Sequence, residues 1–107
     1  SYTGLILDCR GLLLQPAMSP VIKMTAGEPI YGYKNLDSTE VIRRGMAGYA
    51  RDFEENTARA GTRPLILRAV GVERGFNPLV TAADARRLLE ENDKTHFLDE
   101  AAVVFVR

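Results

Sequence analysis

Apolar and polar residues alternate along the first part of the chain, which is the pattern of a β-strand. Leu5, Leu7 and Cys9 fall on one side of a period-two pleat, and Gly4, Ile6, Asp8 and Arg10 fall on the other. Gly11 breaks the run, and Pro16 and Pro20 keep the next segment out of a regular helix. We therefore predict a first strand that leads into a stiff apolar loop.

Two short β-prone runs flank a glycine-containing connection and predict a hairpin. The runs cover residues 21–24 and 29–33, and Gly27 lies between them. Because proline cannot donate a ladder hydrogen bond, Pro29 predicts that the second run lies at a sheet edge.

A longer polar and apolar periodicity predicts a first helix. Asp37 followed by Glu40 has the spacing of a capping box. An apolar stripe then recurs at steps of three and four, and Gly61 is expected to stop the helix after residues 57–60. The stripe consists of Ile42, Met46, Tyr49, Ala50 and Phe53.

The second half of the chain predicts a strand, a helix and a final strand. Residues 65–73 are so apolar on both faces that they predict a central strand. Thr81 begins a second helix, with Ala85, Leu88 and Leu89 on its buried side and its end at residues 92–95. The closing run, residues 103–106, is expected to pair inside the sheet because an apolar edge would aggregate.

These elements predict an α+β fold in which a mixed or antiparallel sheet of about five strands carries two helices on one face. A length of 107 residues fits one domain spanning residues 1–107. Because the chain begins without an initiator Met, we expect it to be a piece of a longer protein.

Charge and apolar run length limit the classes of partner. Fourteen basic and fourteen acidic side chains cancel, so no net field favours nucleic acid. No apolar run approaches the ~18 residues of a membrane span, so we expect membrane contact only through an anchor outside this chain. A single cysteine cannot form an internal disulfide, and Cys9 is expected to be a buried, inert thiol.

Few residues carry candidate chemistry. Asp8 and Arg10 share a strand face: either they pair or form part of a polar site, or, as we favour, Asp8 is a charge at the wet face of the strand or a cap for a neighbouring loop. His96 has Asp99 three residues on, but the sequence lacks the further ligands of a zinc site. Tyr31 and Tyr33 are either a partner-binding edge or ordinary hairpin residues. The sequence therefore predicts no catalytic residue, no metal and no cofactor.

Several stretches together resemble a known domain. They are residues 2–12, 16–20, 30–32, 58–61 with 64–65, 95–99 and 103–106, and they span nearly the whole chain. They resemble an uncharacterised domain of bacterial envelope proteins, related to flagellar assembly protein T and to small outer-membrane lipoproteins. In such a domain a glycine is expected where this chain has Leu13. The resemblance implies a periplasmic or outer-membrane-associated module and transfers no catalytic residue.

The sequence thus leaves two functions open. The first is a non-catalytic envelope module whose surface, within residues 16–33, contacts another envelope protein or a neighbouring domain. The second is a small-ligand-binding or enzymatic domain that uses Asp8, Arg10 and His96.

Overall fold

The computed structural model describes residues 1–32, 39 and 43–107. Eight strands and one α-helix have bounds within these residues, together with a short 3₁₀ helix, Ala58–Ala60. The strands are β1 (Gly4–Asp8), β2 (Ile22–Met24), β3 (Pro29–Tyr31), β4 (Gly48–Ala50), β5 (Pro64–Arg68), β6 (Gly71–Glu73), β7 (Asn77–Val80) and β8 (Val103–Val106), and the helix is α1 (Ala82–Thr95).

The strands form two four-stranded sheets. In the first sheet the order is β4-β8-β1-β5, and every neighbouring pair is parallel. In the second sheet the order is β3-β2-β7-β6, with one parallel pair, β2 and β7, between two antiparallel pairs. Because all strands of the first sheet run the same way, their carboxyl ends meet at one edge.

The main core lies between the first sheet, the second sheet and α1. Side chains that alternate along β1 and β8 face this core, and the opposite face of the first sheet is covered by the chain leading into the 3₁₀ helix. Burial on both faces is what a parallel sheet requires. The core draws on β1 (Leu5, Leu7), β8 (Val103, Phe105), β5 (Leu65, Leu67), the second sheet (Ile22, Tyr31, Val80) and α1 (Ala85, Leu88).

The predicted sheet of about five strands with two helices is wrong, although the coarse α+β description holds. Within the described residues, eight strands form two sheets and one α-helix has defined bounds. Much of the error lies in the second half of the predicted first helix: its described residues Thr39, Arg43 and Arg44 are helical, but the α-helix does not continue after Arg44. Of its signals, Asp37, Glu40 and Ile42 lie outside the described residues.

Tertiary pairing overrides the helical periodicity after residue 45. Gly48–Ala50 forms β4 and pairs with β8, which places the Tyr49 ring edge-on to Phe105 at 5.6 Å. Gly45 and Asn56 have positive φ angles of 72° and 61°, which an α-helix does not contain. The predicted helical stripe through Phe53 therefore does not form, and Phe53 packs half-buried against the outer face of the first sheet.

The predicted central strand, residues 65–73, is also wrong. Consecutive N–H groups at its middle bond to different sheets, since Ala69 donates to the Asp8 carbonyl and Val70 donates to the Leu79 carbonyl. The run is thereby divided into β5 and β6, each at an edge of its own sheet. Ile66 is 54% exposed at the β5 edge, so an apolar run of this kind is compatible with an edge position.

Five predictions about individual elements are confirmed. The hairpin forms between β2 and β3, and β3, which begins at Pro29, lies at a sheet edge. Helix α1 has Thr81 as its N-cap, with the Thr81 side chain accepting from the Asp84 N–H. The helix ends at Thr95, within the predicted range, and β8 lies inside the first sheet between β4 and β1.

Candidate functional site

The segment that follows β1, residues 11–20, is fastened to the body of the domain and is called here the 11–20 loop. Leu14 is buried in the core, and its carbonyl accepts a hydrogen bond of 2.9 Å from Arg107 Nε. The Gln15 N–H donates to the Gly75 carbonyl at 2.7 Å. These two attachments hold the middle of the loop against both sheets.

Tyr49 holds the second half of the same loop. Its hydroxyl accepts from the Ala17 N–H at 3.1 Å and donates to the Ala17 carbonyl at 3.3 Å. Burial and packing against Phe105 fix the Tyr49 ring, and burial raises its pKa, so the hydroxyl stays protonated and able to donate. The loop therefore has a defined conformation in the free protein.

Two large apolar side chains project from this anchored loop into solvent. Leu13 is 83% exposed and Met18 is 90% exposed. Leu13 also has a left-handed backbone, with φ 58°, which costs a branched residue about 1–2 kcal/mol. This is the position where the resemblance predicts glycine. Strained backbone conformations are found most often at functional sites.

A buried carboxylate lies beside the loop, at the carboxyl edge of the first sheet. Asp8 Oδ1 accepts from Arg10 Nε at 2.9 Å, and Oδ2 accepts from Arg10 Nη2 and Arg68 Nη1, each at 3.0 Å. The hydrogen bonds from Arg10 are the main cause of the lowered pKa of Asp8. Of the interpretations of Asp8, the structure shows the pair with Arg10, and a charge at the wet face is wrong because Asp8 is buried. Arg68 is a third member that the sequence analysis missed.

The same arginine is held by an aromatic ring. The guanidinium of Arg10 lies over Phe53, 4.8 Å from the ring centroid. Since both oxygens of Asp8 already accept hydrogen bonds from arginine, Asp8 has little capacity left to act as a general base. The cluster is suited to fixing the end of β1.

An open cleft of about 360 Å³ lies at the carboxyl ends of β4 and β8. Two basic side chains and one acidic side chain line it, and it shares Tyr49 and Arg107 with the attachments of the 11–20 loop. Its lining consists of Tyr49, Ala50, Arg51, Glu55, Asn56 and Arg107.

Cys9 lies directly after β1 and is 1% exposed. Burial raises the pKa of its thiol to about 12, and Sγ lies 3.7 Å from the Leu7 carbonyl oxygen. Its predicted burial is confirmed. At neutral pH the side chain is a protonated thiol, which is a poor nucleophile.

His96 lies at the other end of the sheet from Asp8 and Arg10. It ends α1 with φ 58°, and the preceding Thr95 donates its side-chain hydroxyl to the Tyr2 carbonyl. At ~3.3 Å per residue, the six residues from Tyr2 to Asp8 correspond to about 20 Å. The structure therefore does not bring His96 together with the pair that the enzymatic alternative would combine it with.

The imidazole of His96 faces Asp99, with Nδ1 and Oδ2 3.5 Å apart, and both side chains are largely exposed. Within the described ranges, no group of three or more His, Cys, Asp or Glu side chains could hold a metal ion.

The two hairpin tyrosines have different outcomes. Tyr31 is 1% exposed, and its hydroxyl donates to the Met46 carbonyl at 2.8 Å. Of the two interpretations, the structure favours an ordinary hairpin residue for Tyr31, because its ring is not at the surface. Tyr33 lies outside the described residues.

Comparison with known proteins shows the family. A family model described as Treponema pallidum Tp0624, second domain, matches residues 4–107, and the chain belongs to this domain family. No curated protein matches the chain. The match supports the predicted resemblance at the level of a domain family, while the relation to flagellar assembly protein T and to lipoproteins stays a prediction. In the part of the chain with described structure, no helix is long and apolar enough to cross a membrane.

Proposed function

We propose that the chain is a non-catalytic domain that contacts another protein or a neighbouring domain through the 11–20 loop. The observation that carries the proposal is the exposure of Leu13 and Met18 on a loop that is hydrogen-bonded to both sheets. Scattered exposed apolar residues are ordinary, but two on one anchored loop form a preorganised contact.

The energetics of such a contact are favourable. Burying an exposed Leu or Met side chain contributes about 1.5–3 kcal/mol. Ordering an exposed side chain costs about 0.5–1.5 kcal/mol, and hydrogen bonds already hold the backbone of this loop in the free domain. Met18 is unbranched and polarisable, so it adapts to a partner's surface. The two side chains can therefore act as anchors without rearrangement of the loop.

We further propose that the domain works outside the cytoplasm, in the bacterial cell envelope. The support is the resemblance of residues 2–12 and 16–20 to a domain of envelope proteins related to flagellar assembly protein T and small outer-membrane lipoproteins. The matching family takes its name from a second domain of a longer protein, which supports contact with a neighbouring domain. The enzymatic alternative has weaker support, since His96 lies far from Asp8 and Arg10.

Photocrosslinking tests the contact directly. A benzophenone amino acid replaces Met18 in one variant and Leu89 in a matched control, which is 40% exposed on α1. We expect one crosslinked partner from position 18 and none from position 89. The partner, identified by mass spectrometry and purified, should bind the parent domain at least about tenfold more tightly than it binds a Leu13→Ser, Met18→Ser variant.

The double variant removes no core side chain, so its thermal midpoint should match that of the parent. Equal crosslinking from the two positions, or an unchanged affinity of the folded double variant for the purified partner, would contradict the proposal.

A further inference from the structure

A charged cleft adjoins the apolar loop and extends the same surface. Tyr49 lines the cleft and bonds Ala17, while Arg107 lines the cleft and bonds the Leu14 carbonyl. The loop and the cleft therefore meet at two shared side chains. Met18 directly follows Ala17, the residue that Tyr49 holds.

The side chains that line the cleft carry an excess of positive charge. Arg51 and Arg107 line it with one carboxylate, Glu55. The neighbouring Asp52 is held by the backbone, since its Oδ1 accepts from the N–H groups of Glu54 and Glu55, each at 2.9 Å. The hydrogen bond from Arg107 Nε to the loop holds this guanidinium in place.

We infer that the partner presents an acidic, apolar segment, whose carboxylate pairs with Arg51 and Arg107 while an adjacent apolar side chain packs on Leu13 and Met18. This inference rests on the proposed function and adds the chemistry of the partner. Guanidinium groups favour carboxylates because their planar forks donate two parallel hydrogen bonds. The partner's apolar side chain lies on the loop, and its acidic side chain lies at the cleft.

A protein segment fits better than a small anion. Sites for small molecules enclose most of the ligand surface and are lined largely by apolar groups. This cleft is open and largely polar, so a free carboxylate would remain hydrated in it. A segment gains its affinity from the apolar loop, and the arginines then select its charge.

The test is a titration of the ¹⁵N-labelled protein, followed by NMR, with a short acetylated and amidated peptide in which Leu and Glu alternate. The matched control peptide has Gln in place of every Glu, and sodium acetate is a third titrant. We expect shifts at residues of the loop and the cleft with a Kd of about 1 mM or tighter. The Gln peptide should bind about fivefold more weakly, as expected for an exposed ion pair.

Two arginine variants test whether the preference for the Glu peptide depends on the cleft. Arg51→Ala should weaken binding of the Glu peptide by about two- to fivefold, whereas Arg86→Ala, an exposed arginine on α1, should leave it unchanged. Three results would overturn the inference: equal affinity for the Glu and Gln peptides, no shifts with the Glu peptide, or saturation by acetate at the same concentration as by the peptide.

The results distinguish a failure of this inference from a failure of the proposed function. If position 18 crosslinks a partner but the peptides do not distinguish charge, only the acidic chemistry fails. If the Leu13→Ser, Met18→Ser variant binds the purified partner as the parent does, the proposed function itself fails.

Discussion

Gly4→Ala should lower the free energy of unfolding by about 3 kcal/mol or more, the upper range for overpacking. A Cβ at Gly4 would lie 2.6 Å from the Ala102 carbonyl oxygen and closer still to the Ala60 carbonyl oxygen. Both neighbours are backbone, so neither can turn away as a side chain would. The start of β1 is enclosed by the 3₁₀ helix on one side and by the entry to β8 on the other.

A urea titration followed by circular dichroism measures this effect. Gly48→Ala is the matched control, because it lies in the same sheet and its Cβ would come no closer than 3.4 Å to any neighbour, the nearest being the flexible Arg59 side chain. We expect the control to change the free energy of unfolding by less than about 1 kcal/mol. A midpoint for Gly4→Ala equal to that of the parent would show that the 3₁₀ helix is not packed on β1.

Arg59→Ala should lower the free energy of unfolding by about 2–4 kcal/mol. Its guanidinium donates to three backbone carbonyls, those of Arg44 and Gly45, each at 2.6 Å, and that of Ala101 at 2.7 Å. A hydrogen bond from a charged donor contributes about 1.5–3 kcal/mol when shielded and less where water competes. One side chain thus joins the chain before β4 to the turn before β8.

The same urea titration distinguishes this role from a simple loss of charge. Arg59→Lys keeps the charge but lacks the planar fork, so it should recover less than half of the lost stability. Arg86→Ala removes an exposed arginine from α1 and should be nearly neutral. Full recovery by lysine would contradict the proposed three-carbonyl link.

Local signals predicted the elements that depend on local chemistry. The Thr81 cap and the stripe through Ala85 and Leu88 specify α1, because capping and amphipathicity act within one helix. The hairpin and the buried β8 also follow from turn residues and apolar runs. The residues around Tyr49 carry a helical period as well, but pairing with β8 decides their structure, and no local pattern shows that pairing.

The candidate site divides in the same way. Asp8 and Arg10 are two residues apart, so their pairing is visible in the sequence. Arg68 joins them from β5, sixty residues away, and only the register of the parallel sheet shows it. Gly11, Pro16 and Pro20 predicted a loop, but the hydrogen bonds from Tyr49 and Arg107 that hold it are long-range contacts.

The central claim is that the 11–20 loop is held in its contacting conformation before any partner binds. ¹⁵N relaxation of the free protein measures this directly, as the backbone order parameter at Leu13, Ala17 and Met18. If the loop is preorganised, these order parameters should be about 0.85, the same as in a rigid backbone. Values below about 0.6 would mean a flexible loop and would contradict a preorganised contact surface.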